Sequence, residues 1–183
     1  MEKFAFIIHP LSIHDMAHVS PVLKFIPDSW LESALKLKKP FQVSHITGIK
    51  SPYAEAEGWF IGCPLTSKQM VELPEEFVMD RIIESGKIAQ ELGAKVVGLG
   101  AFTSIVGDAG ITVAKNLDIA VTSGNSYTVA TALEGTREAV RLMGKDLATA
   151  HVTIVGASGS IGAACTRTVS YTHLRAHETS LHL

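Results

Sequence analysis

The chain has 183 residues, is 46% hydrophobic and carries a formal net charge of -2 at neutral pH. This length and hydrophobic content suffice to bury the core of one or two domains, and they exclude an intrinsically disordered protein. The small net charge excludes a global basic field that would attract nucleic acid or an anionic membrane surface, so we expect small or locally recognised ligands.

The two cysteines, Cys63 and Cys165, stand in unrelated sequence contexts. They form neither a CxxC pair nor another metal-ligand spacing, so both thiols are expected to be structural and no metal site is predicted. The apolar run before Pro10 is too short for a signal-peptide core or a membrane span. We therefore expect a cytoplasmic protein without a membrane span, and the sequence leaves its oligomeric state open.

Strands and helices alternate along the predicted chain. Residues 4–8 form an apolar run typical of a strand buried on both faces, and an amphipathic helix is predicted from Pro74 to Gly93. No element is assigned between Pro21 and Pro40, where prolines interrupt the pattern. The other predicted strands are residues 42–49, 59–61, 95–99, 119–122 and 151–155, with helices over 126–143 and from about 160. This alternation predicts an α/β fold with a parallel sheet.

A glycine-rich turn, G-A-S-G-S-I-G, directly follows the apolar strand 152–155. Glycine suits a sharp turn where a pyrophosphate approaches the backbone, and the helix that follows offers N–H groups to phosphates. The context predicts the start of a Rossmann-type NAD(P)-binding domain, although a plain strand-turn-helix connection is the alternative. The predicted cofactor-binding residues are Gly156, Ser158, Gly159, Ser160, Ile161 and Gly162.

The composition changes abruptly near residue 169, where the sequence becomes VSYTHLRAHETSLHL. This stretch resembles the translated read-through of a sequencing adapter, so we expect residues 169–183 to be a non-native tail on a truncated protein. A genuine C-terminal helix with His173 and His177 at metal-ligand spacing is the alternative. The predicted division is therefore an N-terminal α/β substrate domain over residues 1–146, a truncated NAD(P)-binding domain over 147–168 and the tail.

Polar residues follow two predicted strands at their carboxyl ends. Thr103 and Ser104 follow strand 95–99, and Asn125 and Ser126 follow strand 119–122. Ligands of open α/β sheets bind in the crevice outside these strand ends, which makes the four residues candidates for hydrogen bonding to a substrate. Helix capping and turn formation explain the same residues equally well.

Three linked blocks carry a family resemblance: GLGAFTSIV at residues 98–106, TSGNSYTVATAL at 122–133 and VTIVGASGSIGAAC at 152–165. In order and spacing they resemble the long-chain acyl-[acyl-carrier-protein] reductases that make fatty aldehydes. The resemblance implies an NADPH-dependent oxidoreductase that takes an acyl group from acyl carrier protein or acyl-CoA onto a cysteine and reduces the thioester to an aldehyde. The nucleophilic cysteine of that family lies beyond the glycine turn, so no catalytic residue is expected here.

Two other interpretations stay open at this point. The chain is also compatible with another NAD(P)-dependent dehydrogenase, of the shikimate dehydrogenase or glutamyl-tRNA reductase type, with NAD not excluded as the cofactor. A nucleotide-binding module or an inactive fragment is the non-enzymatic alternative.

Among the remaining residues, Lys36, Lys38 and Lys39 form either a docking patch for an acidic carrier protein or a solvated loop. His14 and His18 suit a metal pair or, more simply, a helix surface.

Overall fold

The computed structural model describes residues 1–13, 26–171 and 175–179, so His14, His18 and His173 lie outside the described residues. The chain divides into two compact units, Met1–Ser123 and Gly124–Leu183. The first unit contains a mixed five-stranded sheet with flanking helices, which confirms the predicted α/β class. The predicted domain boundary at residue 146 stays a prediction beside this division.

The sheet of the first unit has the strand order β2-β3-β1-β4-β5. Strands β1, β3, β4 and β5 are parallel, whereas β2 is antiparallel to β3. Only residues 51–54 connect β2 to β3, and such a short connection joins antiparallel neighbours but not parallel ones. Four strands thus form the predicted parallel sheet, and β2 adds an antiparallel edge to it. The strands are β1 (Glu2–Ile8), β2 (Phe41–Lys50), β3 (Glu55–Gly62), β4 (Val96–Leu99) and β5 (Ala120–Thr122).

The helices of the first unit include one that the sequence did not predict. Helix α1 begins directly after Pro27 and ends at Leu37, before Pro40, so these prolines bound the helix instead of interrupting it. Helix α3 matches the predicted amphipathic helix and ends just before Gly93. The helices whose bounds the structure gives are α1 (Asp28–Leu37), α2 (Ser67–Glu72), α3 (Glu75–Glu91) and α4 (Ile111–Lys115), with a 3-10 turn at Ala101–Ser104.

The core of the first unit lies between one face of the sheet and helix α3. Alternate residues of β1, β3 and β4 point to this face because successive strand residues face opposite sides. Ile7, Ile61 and Ile82 are fully buried there. Burial of this apolar surface is the dominant stabilising contribution. The buried cluster includes Ala5, Ile7, Trp59, Ile61, Cys63, Leu65, Met70, Val78, Met79, Ile82, Ala89, Ala94, Val97, Leu99 and Val113.

The opposite face of the sheet carries an aromatic layer. The rings of Phe4 and Phe6 contact each other edge to face with their centroids 5.8 Å apart, and Phe60 is the next ring. Gly58 and Gly98 lie beneath these rings, and a Cβ atom at either glycine would overlap a phenylalanine ring. The two glycines therefore leave the space on the sheet that the Phe4 and Phe6 rings occupy.

A charged network covers Trp59 near the amino end of β3. Glu57 accepts a hydrogen bond from Nε2 of His45 at 3.1 Å and pairs with Nζ of Lys3 at 3.3 Å. The His45 ring stacks on Trp59 with the ring centroids 5.2 Å apart. Desolvation raises the pKa of the Glu57 carboxyl, but the bonds and charges of Lys3 and His45 outweigh it, so the net pKa is lowered.

The second unit contains helix α5 (Asn125–Leu142), strand β6 (His151–Val155), helix α6 (Ser160–Tyr171) and strand β7 (Arg175–Thr179). These bounds confirm the elements predicted over residues 126–143, 151–155 and from about 160. Strands β6 and β7 pair in parallel. Strand β7 falls within the predicted tail, whose origin stays a prediction. Among the described residues, no helix is long and apolar enough to cross a membrane.

Replacing Glu57 by Gln tests the charged network. A carboxyl whose folded pKa is lowered stabilises the fold above its unfolded pKa of about 4.3, and this contribution is lost as the pH falls through the folded pKa. We expect the Glu57→Gln protein to lose less stability than the parent protein between neutral pH and pH ~3. The measurement is the free energy of urea unfolding across this range, with Glu72→Gln on helix α2 as the reference. Parallel curves for the parent and Glu57→Gln proteins would contradict the prediction.

Candidate functional site

At the carboxyl edge of the sheet, the strand order of the first unit defines a switch point that we call the crevice. After β1 the chain continues to β2 and β3 on one side of it, whereas after β4 it continues to β5 on the other side. Ligands of open α/β sheets bind where the connections diverge in this way. The crevice therefore lies between the residues that follow β1, His9 and Pro10, and those that follow β4, residues 100–104.

The two strand ends approach closely at this crevice. The Gly100 N–H donates to the carbonyl oxygen of Ile7 at 3.1 Å, and a Cβ atom at Gly100 would lie 2.6 Å from that oxygen. Nε2 of His9 accepts a hydrogen bond from the Phe102 N–H at 3.3 Å, and its Nδ1 lies 3.0 Å from the carbonyl oxygen of Pro10. A histidine with its proton on Nδ1 satisfies both contacts, so the ring is held in one orientation. The sequence predicted only that the strand ends before His9.

The turn that follows β4 carries backbone strain. Ala101 has a φ of +46°, in the left-handed region that costs about 1–2 kcal/mol for a residue with a Cβ atom. Its neighbour Phe102 donates the N–H that His9 accepts. Strained residues concentrate at functional sites, where the surrounding contacts maintain them. The strain at Ala101 therefore supports a functional role for this crevice.

The predicted substrate-side residues Thr103 and Ser104 lie at this crevice, on the 3-10 turn. The Thr103 hydroxyl donates to the Gly100 carbonyl and the Ser104 hydroxyl donates to the Ala101 carbonyl, both at 2.7 Å. Thr103 is also buried. Both hydroxyl protons are thus used to stabilise the turn, and a role in binding substrate stays a prediction for these two residues.

Cys63 lies at the end of β3, beside the crevice, and is fully buried. Burial raises the pKa of its thiol to about 12, outweighing a hydrogen bond with Ser85. A thiol with this pKa is protonated at neutral pH and is a poor nucleophile. The geometry agrees with the structural role that the sequence predicted for Cys63.

The glycine turn of the second unit is explained by its own backbone geometry. Gly156 has a φ of +75°, a conformation that glycine adopts without strain. A Cβ atom at Gly162 would overlap the Gly156 carbonyl oxygen, because helix α6 starts directly against the turn. The Gly159 N–H donates to the same oxygen at 3.0 Å. Turn geometry and helix packing therefore account for the glycines without a bound nucleotide.

An open depression of about 390 Å³ lies along this turn. It is lined by all the predicted cofactor-binding residues except Ser158, and half-buried Cys165 forms part of its wall. Nδ2 of Asn125 donates to the Ser160 hydroxyl at 3.0 Å, which places this predicted substrate-side residue beside the turn. Ser126 is exposed on helix α5. The predicted site residues are thus divided between the two units.

Comparisons with known proteins identify an aminotransferase as a relative. No family model matches the chain. Aminotransferase PigE of Serratia sp. (strain ATCC 39006) is 30% identical over 193 aligned positions that include 99% of this chain. The chain spans only about a fifth of that relative, 21% of its length. The similarity therefore concerns one region of a much longer protein.

This relative overturns the function predicted from the three sequence blocks. Because PigE is an aminotransferase, the resemblance to acyl-[acyl-carrier-protein] reductases, the reduction of a thioester to an aldehyde and the oxidoreductase class are wrong. The dehydrogenase alternatives and NAD(P) as cofactor are wrong with them, and acyl carrier protein or acyl-CoA as substrate has no support. The physical reason is that the glycine turn and the 3-10 turn satisfy backbone requirements shared by unrelated α/β proteins.

Aminotransferases use pyridoxal phosphate, which requires a lysine to attach it and a side chain at its ring nitrogen. The second unit contains one lysine, Lys145, which precedes β6, whereas the glycine turn follows that strand. A five-residue strand extends about 16 Å, so Lys145 and the turn lie at opposite ends of β6. The crevice of the first unit, at His9, Pro10 and residues 100–104, contains no lysine. The residues of the two sites therefore do not fit pyridoxal phosphate.

The glycine turn makes a sharp prediction about two helical glycines. Gly162→Ala forces a Cβ atom against the Gly156 carbonyl and is expected to destabilise the second unit by about 1–3 kcal/mol. Gly135 lies in helix α5 with open space around it, so Gly135→Ala is expected to stabilise that unit by up to about 1 kcal/mol. Urea unfolding combined with hydrogen exchange of helix α6 measures both effects. Equal effects of the two substitutions would show that the turn is looser than described.

The strain at Ala101 predicts a stabilising substitution. Ala101→Gly removes the Cβ penalty at positive φ, and we expect a gain of about 0.5–1 kcal/mol after glycine's larger loss of chain entropy is subtracted. Ala34→Gly, at an exposed position of helix α1, is the matched control and is expected to cost a similar amount. The measurement is the free energy of urea unfolding. A gain for Ala101→Gly with a loss for Ala34→Gly supports the strain, whereas a loss in both variants argues against it.

Proposed function

We propose that this chain is a small-molecule-binding α/β segment of an aminotransferase-type protein whose pyridoxal phosphate is attached outside it. The observation that carries the proposal is the alignment with PigE, which includes 99% of this chain but 21% of the relative. An aminotransferase moves an amino group from a donor amine to the carbonyl carbon of an acceptor, and the donor leaves as a carbonyl compound. Binding and orienting one of these small molecules is the role proposed for this segment.

The crevice between β1 and β4 is the binding site we propose in the first unit. His9 is held by the Phe102 N–H and contacts the Phe102 ring edge to face at 6.1 Å. Thr103 and Ser104 retain hydroxyl lone pairs that can accept a hydrogen bond from an amine. We assign Thr103 and Ser104 to positioning the substrate within the proposed substrate domain, residues 1–146.

In the second unit, we propose that the glycine turn binds an anionic group, such as a phosphate, on a ligand other than a nicotinamide cofactor. The N-terminal turn of a helix presents N–H groups without intrahelical partners, together with a partial positive charge. Asn125 contacts this turn through its hydrogen bond to Ser160, and Ser126 follows Asn125 in the sequence. The residues assigned to this site are Gly156, Ser158, Gly159, Ser160, Ile161 and Gly162, with Asn125 and Ser126.

The free thiols of Cys63 and Cys165 favour a reducing cytoplasm as the location.

The test is amino-group transfer by the complete reading frame recovered from source DNA. The protein is supplied with pyridoxal phosphate, an amine donor and a carbonyl acceptor, and the new amine is measured. After borohydride reduction, mass spectrometry locates the lysine that carries the cofactor. We expect transfer, with the labelled lysine outside this chain. A label on a lysine of this chain, or no transfer with a broad donor panel, would sink the proposal.

The His9→Ala variant tests the crevice in the same assay. Loss of the His9 ring, which holds the turn at Phe102 in place, is expected to raise the KM for a substrate bound there about tenfold, which corresponds to about 1.4 kcal/mol. His45→Ala is the control, because His45 stacks on Trp59 away from the crevice. Equal KM changes in the two variants would assign the effect to the fold.

A further inference from the structure

A cavity of the first unit lies beside the crevice and is not used by the proposed function. It occupies about 280 Å³ at the carboxyl ends of β1 and β3, where helix α1 ends and β2 begins. This volume is close to the lower limit of about 300 Å³ for small-molecule pockets. A molecule that fits this volume is a single ring or a short branched chain. The residues that decide its chemistry are His9, Leu35, Lys38, Phe41, Val43 and Cys63.

The wall of this cavity is apolar. Leu35 and Cys63 are buried, and Phe41 and Val43 are partly exposed at the start of β2. Gly62 forms part of the wall, and a Cβ atom there would lie 2.9 Å from a Val43 methyl and 3.3 Å from the Phe41 ring. Glycine at this position thus lets both side chains lie against β3. Such a wall favours an apolar body on the ligand because burial removes its surface from water.

One positive charge lies at the rim. Nζ of Lys38 is 3.9 Å from the centroid of the Phe41 ring, a cation–π contact that holds the ammonium beside the opening. In the part of the chain that the structure describes, no carboxylate lies within ion-pair distance of Lys38, and no carboxylate lines the cavity. An amine ligand would be repelled here, whereas a carboxylate would gain a partner without displacing one.

We propose that this cavity binds an apolar monocarboxylate, with the carboxylate at Lys38 and the apolar body between Leu35 and Val43. One ammonium matches one negative charge, and the opposite end of the ligand points toward His9, which lines both this cavity and the crevice. The inference depends on the geometry of the first unit alone. Its failure would leave the amino-transfer proposal unchanged, because no step of that assay needs this cavity.

The experiment is a titration of the 183-residue chain with 3-phenylpropanoate, followed by NMR of the methyl groups. Matched titrations use 3-phenylpropan-1-ol and 3-phenylpropylamine, which keep the apolar body and change the charge. We expect the Leu35 and Val43 methyl signals to shift with the acid, and the alcohol to bind about threefold to fivefold more weakly, as one partly exposed charge pair implies. The amine is expected to bind more weakly than the alcohol.

Variants separate charge from shape in this cavity. Lys38→Met keeps an apolar stem and is expected to weaken acid binding about threefold to fivefold while leaving alcohol binding unchanged. Lys39→Met removes a neighbouring charge that does not line the cavity and is expected to change neither. Val43→Phe fills the cavity and is expected to abolish binding of both compounds.

Two results overturn the proposal. Equal affinity of the parent chain for the acid and the alcohol would show that Lys38 does not bind the carboxylate. This comparison uses the parent chain alone, so it does not depend on whether a variant folds. Methyl shifts confined to residues other than Ile8, Leu35 and Val43 would place the ligand elsewhere. Thermal unfolding of each variant establishes that a loss of binding is not a loss of structure.

Discussion

Strand β1 is hydrogen-bonded to parallel strands on both of its edges, and the arrangement of the first unit depends on this central position. It pairs with β3 from Glu2 to Ile8 and with β4 from Phe4 to Ile7. A strand with parallel neighbours on both sides must connect to one side first and leave the other for a later segment, which creates the divergence at its carboxyl end. The core packs against one face of the sheet that contains this strand, and the crevice and the apolar cavity lie at its carboxyl end.

The contacts at the carboxyl edge join residues that are far apart in sequence. His9 meets the Phe102 N–H, and the Gly100 N–H meets the carbonyl of Ile7. On its other side, His9 borders the cavity formed with Leu35, at the end of helix α1. One side chain therefore belongs to two neighbouring sites, so substitutions of His9 test the whole edge, whereas substitutions of Lys38 test only the cavity.

The glycine turn illustrates how a sequence motif can be predicted correctly as structure and wrongly as function. The pattern of Gly156, Gly159 and Gly162 does form a tight turn between β6 and α6, as its spacing indicated. The turn needs its glycines for a positive φ and for close helix packing, and both needs exist whether or not a dinucleotide binds. Similarity to an aminotransferase over 99% of the chain therefore outweighs the motif.

The sequence by itself determined the elements whose signals are local. The apolar run of β1, the period of helix α3 and the strand-turn-helix around Gly156 follow from residue type and spacing. Helix α1 was not predicted because the prolines near its two ends were interpreted as interruptions of the pattern. The antiparallel direction of β2 follows from its short connection to β3. Thr103 and Ser104 were placed correctly at a strand end, but only the tertiary structure showed His9 beside them and Asn125 in the other unit. Contacts between distant segments depend on strand order, which no local pattern encodes.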